Sequence, residues 1–300
     1  VLGGGILELA TWHWLFFVNI PIAIIAMLLV VFTFHFKHEQ TTTSHKLDMK
    51  GLMLFYLFVF FLMFTLMNNS QWYLNCLSFI IAIIMGMILI KNEKGVAAPF
   101  FPVKEFNKTI ILVFTTDFLY AMILMGYNLY MPIYLQEELG LSPLQSGFVI
   151  FPISFAWLVL NFNLNRLEAK MSRKGLYIFA FTLLTICGIF IFAGTKTPIF
   201  IAFSLLLAGV SFGTVYTKDS VITQEETSPQ NMKRMMSLYT LTKSLGNSIG
   251  STIMGTVYGL TVSFIHLPIH NVIILSLIIL FILFVLWQTQ YKQDNHKCNS

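Results

Sequence analysis

The stretch that decides the fold is TIILVFTTDFLYAMILMGYNLYMPIYL, residues 109–135, in which the only charged residue is Asp117. A transmembrane helix needs about 20 mostly apolar residues to cross about 30 Å of hydrocarbon, and this stretch exceeds that length. It therefore predicts a helix that spans a lipid bilayer.

The whole chain has the same character. Its 300 residues are 57% apolar and 10% charged, with a mean hydropathy of +0.77, whereas a soluble domain has about 45–50% apolar and about 25% charged residues. This composition excludes most soluble enzymes. The net charge is +5, but the 18 Lys and Arg residues form short, separated clusters, so we expect no nucleic-acid partner.

The sequence also argues against catalysis. It contains no phosphate-binding loop, dinucleotide-binding glycine motif, GxSxG or HExxH, and its three cysteines show no disulfide or zinc spacing. The pair His266 and His270 has metal-site spacing, but Pro268 interrupts the helix between them, and His35 and His38 lack a third ligand. We therefore predict a protein that is not an enzyme and has no cofactor and no metal.

Nine stretches are long and apolar enough to cross a bilayer, so the predicted fold class is all-α, a polytopic membrane helical bundle. The predicted spans are 14–34, 51–67, 72–90, 109–135, 144–164, 176–193, 198–216, 238–260 and 269–287.

Positive charge predicts the orientation. Alternate connections carry 16 of the 18 Lys and Arg residues, while Lys196 lies on the opposite side and Lys243 lies inside a span. Because Lys and Arg concentrate in cytoplasmic loops, we expect a cytoplasmic C-terminus and an external Val1. No export signal precedes that external end, so we expect that upstream helices are missing and that the sequence is a fragment or a shortened chain.

Three segments resemble one family. The segment VLGGGILELATWHWLFFVNIP, residues 1–21, with its WxWxFxxNxP pattern, is similar to the junction of the fifth and sixth helices in the major facilitator superfamily, specifically in fourteen-span drug:proton antiporters of the EmrB/QacA type. The segment LGLSPLQSG, residues 139–147, resembles the junction before the family's tenth helix, and residues 205–259 provide the third match. In the second segment, Ser142, Pro143 and Gln145 also have the spacing of a capping box that starts a helix.

The resemblance implies a domain organisation. In order along the chain, we expect the end of a truncated helix with one span (1–35), a cytoplasmic loop (36–50), a central hairpin (51–90), a second loop (91–108), a C-terminal six-helix half (109–288) and a cytoplasmic tail (289–300). It also implies proton-coupled efflux of small amphipathic or cationic drugs across the cell membrane. The partners would be the lipid bilayer, substrate, protons and the missing N-terminal half of the same transporter. The alternatives are a non-transporting membrane remnant or interaction subunit, and then a membrane-embedded enzyme.

Two residues that are charged at neutral pH lie within the predicted spans. Asp117 lies about 12 Å into the membrane at about 1.5 Å rise per residue, where a carboxyl is expensive and suits proton coupling; the alternative is a static pair with a neighbouring helix. Lys243 enters from the same side at similar depth, so a contact with Asp117 is possible. We expect instead that the Lys243 side chain extends its ammonium to the lipid headgroups.

Other residues in the spans are candidates for a cavity wall or for close helix packing. The cavity candidates are Tyr127, Asn128, Tyr130, Asn161, Asn163, Lys243, Asn247 and Ser251. The packing candidates are Gly3 and Gly4, and the pairs Gly209 and Gly213, Gly246 and Gly250, and Gly255 and Gly259, because small residues four apart let helices approach closely in lipid.

A basic motif of the family, GRLxDRxG, is matched by NRLEAKMS at residues 165–172, which retains Arg166 and places Lys170 where the family has an arginine. Because both glycines and the aspartate are replaced, we expect a simple cytoplasmic anchor here rather than a gate.

Overall fold

The computed structural model describes residues 2–11, 13–33, 48–67, 72–93, 102, 105–194, 196–260 and 267–297, and almost all of them are helical. No strand occurs in that part of the chain, which confirms the predicted all-α class. The helices are α1 (Leu2–Leu9), α2 (Trp14–Phe17), α3 (Asn19–Thr33), α4 (Met49–Met67), α5 (Trp72–Glu93), α6 (Lys108–Met125), α7 (Met131–Glu137), α8 (Pro143–Glu168), α9 (Arg173–Gly194), α10 (Pro198–Glu225), α11 (Met232–Tyr258) and α12 (Pro268–Lys297).

Within the described ranges, seven helical segments are long and apolar enough to cross a membrane. The other two predicted spans correspond to α4, whose apolar part Met49–Thr65 is shorter, and to α11, whose many hydroxyl residues lower its hydropathy. The count of nine spans therefore stays a prediction. The seven are Trp14–Thr33, Trp72–Glu93, Lys108–Glu137, Pro143–Leu164, Arg173–Gly194, Pro198–Glu225 and Pro268–Thr289.

Several boundaries differ from the sequence-based expectation; α11 begins six residues earlier and α12 ends ten residues later than predicted, for example, and two differences need a physical account. The first predicted span is divided into α2 and α3 near Val18; Pro21 has no backbone donor for the Phe17 carbonyl, and the Asn19 side chain donates to the Leu15 carbonyl. The seventh, expected to end at Tyr216, continues to Glu225. This second difference matters most, because it places nine further residues on a helix.

The deciding stretch forms one continuous helical segment, Lys108–Glu137, with a π-helical turn at Gly126–Tyr130 between α6 and α7. Pro132 follows the turn at the start of α7 and removes one backbone donor. The segment begins where the Asn107 side chain accepts a hydrogen bond from the Ile110 amide at 2.8 Å.

Helices α6 and α8 to α12 share one apolar core, in which α10 packs against α8, α9, α6 and α11. Tyr120, Phe181 and Phe212 are fully buried there and their rings are in contact. In contrast, α4 and α5 pack mainly against each other, and no residue of α3 is buried. The six-helix bundle therefore provides the interior in which a polar site can be held.

Glycines allow close approach at several helix crossings. A Cβ at Gly246 would come within 2.5 Å of the Phe118 carbonyl oxygen, and one at Gly250 would overlap the Met122 backbone, so α11 lies directly against α6. The same close approach to backbone occurs at Gly4 and Gly209, while Gly213 and Gly255 face the side chains of Trp157 and Tyr130. Gly3 makes only ordinary contact with Leu15, and the expectation for Gly259 is wrong, because it is exposed at the end of α11.

The predicted capping box at the start of α8 is present. The Ser142 amide donates to the Gln145 side chain at 3.0 Å, and the Gln145 amide donates to the Ser142 hydroxyl at 3.2 Å. These two bonds satisfy backbone donors that a helix start leaves without partners.

Candidate functional site

A group of polar side chains lies inside the six-helix bundle, and we call it the central cluster. It consists of Asp117 on α6, Asp219 and Tyr216 on α10, and Lys243 on α11. Both carboxyls have 0% exposed surface. Charged groups are rarely buried without a partner, so this cluster is the first candidate for a functional site.

Asp117 is buried, and neither of its carboxylate oxygens has a hydrogen-bond partner of good geometry, although the Tyr239 hydroxyl is close enough to interact with the carboxylate. The nearby hydroxyl of Tyr239 donates to the Tyr216 carbonyl at 3.2 Å, and the charge of Lys243 interacts with Asp117 electrostatically. The structure thus brings Asp117 and Lys243 into one cluster. Such an incompletely paired carboxylate is well placed to accept a proton or a cation.

Asp219 is a second buried carboxyl, and sequence reasoning missed it. The Tyr177 hydroxyl on α9 donates a short hydrogen bond to its Oδ1 atom, while its Oδ2 atom has no hydrogen-bond partner. The predicted span 198–216 leaves Asp219 outside, and Asp117 is therefore the one carboxyl within the predicted spans; this expectation is wrong, because α10 continues to Glu225 and buries Asp219 as well. The buried Ile222, one turn after Asp219, was the signal that the helix continues.

Lys243 differs from its expected position. We expected its ammonium to extend to the lipid headgroups, but its Nζ atom lies 3.5 Å from the centroid of the Tyr216 ring. Trp157 on α8 stacks against the same ring, with centroids 5.3 Å apart. The ammonium also interacts electrostatically with both Asp117 and Asp219. It is therefore held by an aromatic face and two carboxylates inside the bundle.

Aromatic and hydroxyl contacts with α6, α9 and α12 support the cluster. Tyr177 stacks on Trp287 of α12 at a centroid distance of 3.7 Å, and the Trp287 indole donates to the Thr116 hydroxyl at 3.0 Å. Tyr120 and Ser211 share a hydrogen bond of 2.8 Å next to these rings. These contacts fix the positions of Tyr177 and Asp219, and none of them is visible in local sequence patterns.

The other cavity candidates divide into exposed and buried residues. Asn128 and Asn163 are exposed, and Asn161 is also exposed and accepts a hydrogen bond from Thr217 at 2.9 Å. The expectation for Tyr127 is wrong, because only 2% of it is exposed and it packs against Phe212 in the core. Hence Tyr127 supports the bundle rather than lining an open surface.

Three candidates lie where α6 and α11 meet. The Tyr130 hydroxyl donates to the Ser251 carbonyl at 2.7 Å, which links the π-helical turn to α11. The Asn247 side-chain oxygen is buried without a hydrogen bond. Asn247 and Ser251 are on the same helix as Lys243, and Asn247 lies one turn after it.

A second set of charges lies at the end of the bundle where α6 and α9 begin and α10 ends, and we call it the charged end. Arg173 forms ion pairs of 3.1 Å with Glu225 and with Glu226. Glu105 accepts hydrogen bonds from the Ser228 hydroxyl at 2.7 Å and from the Asn231 amide at 2.8 Å. These two bonds, in that order, lower the pKa of Glu105 below its ordinary value, because they stabilise the charged carboxylate.

The basic motif contributes to this end in an unexpected way. Arg166 and Lys170 are both exposed, whereas Glu168 between them pairs with Lys218 of α10 at 3.0 Å. Lys218 lies outside the predicted span 198–216, and in the structure it is a buried residue of α10.

The histidines considered as metal ligands do not contribute to the candidate site. His266, His35 and His38 lie outside the described residues, and His270 stacks on Phe192 at a centroid distance of 4.2 Å.

Comparison with known proteins gives a consistent result. The family model described as "Major Facilitator Superfamily" matches residues 1–251. The chain is 59% identical over 295 residues, 98% of its length, to "Multidrug efflux pump SdrM" of Staphylococcus aureus (strain N315). It is 26% identical to "Acurin A biosynthesis cluster MFS-type transporter" of Aspergillus aculeatus over 72% of its length. It is 24% identical to "Multidrug transporter protein MdtP" of Bacillus subtilis (strain 168) over 85% of its length. The chain spans 66%, 42% and 48% of these three relatives, respectively.

Proposed function

This chain belongs to the major facilitator superfamily, and from that premise we propose that it takes part in the proton-coupled efflux of small amphipathic or cationic compounds. Membership of this family of transporters also confirms the prediction that the chain is not an enzyme. The similarity to a protein named as a multidrug efflux pump supports the proposed activity.

The proposal includes a position within the transporter. We assign the chain to the fourteen-span drug:proton antiporters as their C-terminal portion, acting together with an N-terminal half around a shared cavity. The coverage of 66% of the Staphylococcus relative agrees with this assignment. The charged end would face the cytoplasm, together with the C-terminus, because it carries the positively charged connections.

The single observation that carries the proposal is the burial of Asp117 without hydrogen bonds inside the bundle. A carboxylate in such a place is expensive, and protonation removes most of that cost. Asp117 would therefore take up a proton in one state of the transport cycle and release it in another. The exposed Asn161, Asn128 and the polar residues of α11 would line the path of the substrate.

Replacement of Asp117 by asparagine in the full-length protein tests the proposal. We expect proton-driven dye efflux from cells to fall by about tenfold or more, equivalent to about 1.4 kcal/mol or more, because asparagine has the same shape but cannot exchange a proton. The matched control is Glu138→Gln, since Glu138 is an exposed carboxylate at the opposite end of the bundle. Unchanged efflux with unchanged dependence on the proton gradient in Asp117→Asn would remove Asp117 from the mechanism.

A further inference from the structure

We infer that the face of the Tyr216 ring is a binding subsite for the cationic group of a substrate, and that Lys243 occupies this subsite as a tethered competitor when no such substrate is bound. The inference rests on the proposed function, because it names the place where a transported organic cation would bind. It goes further in giving the lysine a role of its own.

The subsite has the composition that organic cations require. The Lys243 Nζ atom lies 3.5 Å from the Tyr216 ring centroid, which is the position that an ammonium takes over an aromatic face. Trp157 stacks on the same ring and is half exposed, so a flat aromatic substrate could extend the stack. A substrate cation that takes the place of Nζ would meet the same ring and carboxylates once the lysine side chain has moved away from Tyr216, which is 4% exposed.

The charge of the cluster favours an additional cation. Three carboxylate oxygens, both of Asp117 and Oδ2 of Asp219, are buried without hydrogen bonds, and Lys243 is the ammonium that interacts with both groups. With both carboxyls ionised, the two negative charges exceed the single positive charge. A substrate cation could thus replace the ammonium over the ring without leaving the carboxylates uncompensated.

Lys243 is not bound as a structural lysine would be. Lys218, one helix away, forms a direct ion pair of 3.0 Å with Glu168 and is 8% exposed. Lys243 instead rests on a ring and is only half buried. Because its ammonium sits on a flexible four-carbon stem, it can move towards the open side while α11 stays in place.

The open side of α11 would receive the displaced ammonium. Thr240, Ser244 and Ser248 are exposed there, and each hydroxyl donates to a carbonyl one turn earlier on the same helix, at 3.0 Å in every case. Since these donors are used within the helix, the hydroxyl oxygens present lone pairs outward. Such a surface accepts hydrogen bonds from cations and offers few donors to anions.

Equilibrium binding to the purified full-length protein in lipid nanodiscs tests the inference, with ethidium as the probe. We expect Lys243→Met to bind ethidium at least about threefold more tightly, because a competing ammonium is removed from the aromatic face. Lys243→Arg keeps a cation and is the matched control, for which we expect no gain.

A second substitution locates the gain. Tyr216→Leu added to Lys243→Met should abolish the increase, whereas Tyr56→Leu on the same background should retain it, because Tyr56 is an exposed residue of α4 outside the six-helix bundle. Unchanged or weaker ethidium binding by a folded Lys243→Met protein would overturn the inference, and so would a gain that survives Tyr216→Leu.

A measurement on the unmutated protein covers the case in which Lys243→Met does not fold. Lysines dimethylated with ¹³C give separate NMR signals, and that of Lys243, assigned from its absence in Lys243→Arg, should be displaced by the Tyr216 ring current. We expect ethidium to move this signal to the position of an exposed lysine. A signal that does not move while ethidium binds would contradict displacement. Both measurements are made without a proton gradient, so failure of proton-coupled efflux would be seen separately.

Discussion

Asp219 and Glu225 are six residues apart on α10, yet they belong to two opposite kinds of charged region. Glu225 lies at the charged end, is half exposed and forms an ion pair of 3.1 Å with Arg173. Asp219 lies in the central cluster, is fully buried and has one carboxylate oxygen without a hydrogen bond. Less than two turns of helix therefore separate a paired carboxylate in contact with solvent from an incompletely paired one in the core.

The difference teaches which charges to associate with function. Exposed ion pairs each contribute about 0–1 kcal/mol and cost little to form. A buried polar group without a hydrogen-bond partner destabilises the fold by about 1–3 kcal/mol. A protein that retains such a group despite this cost is expected to use it for function. The charged end is hence expected to affect stability slightly, and the central cluster to affect transport strongly.

The largest expected effect comes from replacing Asp219 by asparagine. We predict that efflux falls by about tenfold or more, about 1.4 kcal/mol or more, because the cluster loses one of its two carboxylates. The variant should still fold, since the amide oxygen can accept the Tyr177 hydrogen bond. Dye efflux from cells that express equal amounts of the full-length protein measures this effect.

The matched control for Asp219 is Glu225→Gln on the same helix. We expect its efflux to stay within about twofold of the original, since an exposed pair is screened by water and salt. Equal losses in the two variants would mean that buried and exposed carboxylates of α10 are not functionally different.

Sequence alone predicted the elements whose signals are local. The long apolar stretches, the capping box at Ser142 and Gln145, and the rarity of Asp117 within a span each depend on nearby residues. Asp219 was missed because a hydropathy template ends a helix where polar residues begin. Here the helix continues because tertiary packing buries Asp219 and Ile222.

The contacts of the central cluster could not be predicted from local sequence patterns, because they join residues that are far apart in the chain. Tyr177 and Asp219 are 42 positions apart, and Trp287 and Thr116 are 171 apart. Lys243 was expected at the headgroups because its distance from the helix end permits that position, but depth does not say which helix face it occupies. The spacing of residues along one helix predicts their depth and which of them share a face. Only the packing of the bundle shows which neighbouring helix that face contacts.

The second prediction concerns the donor to the buried carboxylate. Tyr177→Phe should destabilise the protein by about 1–3 kcal/mol, because Asp219 loses its hydrogen bond in a place that water does not reach. Thermal unfolding in detergent measures the change. The control is Tyr130→Phe, whose hydroxyl is bound to the Ser251 carbonyl in a half-buried position and should contribute less. A larger effect at Tyr130 would contradict the expectation that the buried hydrogen bond to Asp219 contributes more to stability than a half-buried one.

The smallest expected effect lies at the charged end, at Glu105. Its pKa is lowered in the folded state by the bonds from Ser228 and Asn231, so the charged carboxylate stabilises the fold above its ordinary pKa. This contribution is lost as the pH falls through the lowered pKa. Glu105→Gln should therefore unfold about 1 kcal/mol more easily at neutral pH, after discounting for exposure to solvent. The difference should shrink in acid, whereas the Tyr177→Phe difference should not follow the Glu105 titration. Thermal unfolding of the original protein, Glu105→Gln and Tyr177→Phe between neutral and acidic pH measures both differences. A Glu105→Gln difference that is independent of pH would show that the hydrogen bonds of Glu105 do not depend on its charge.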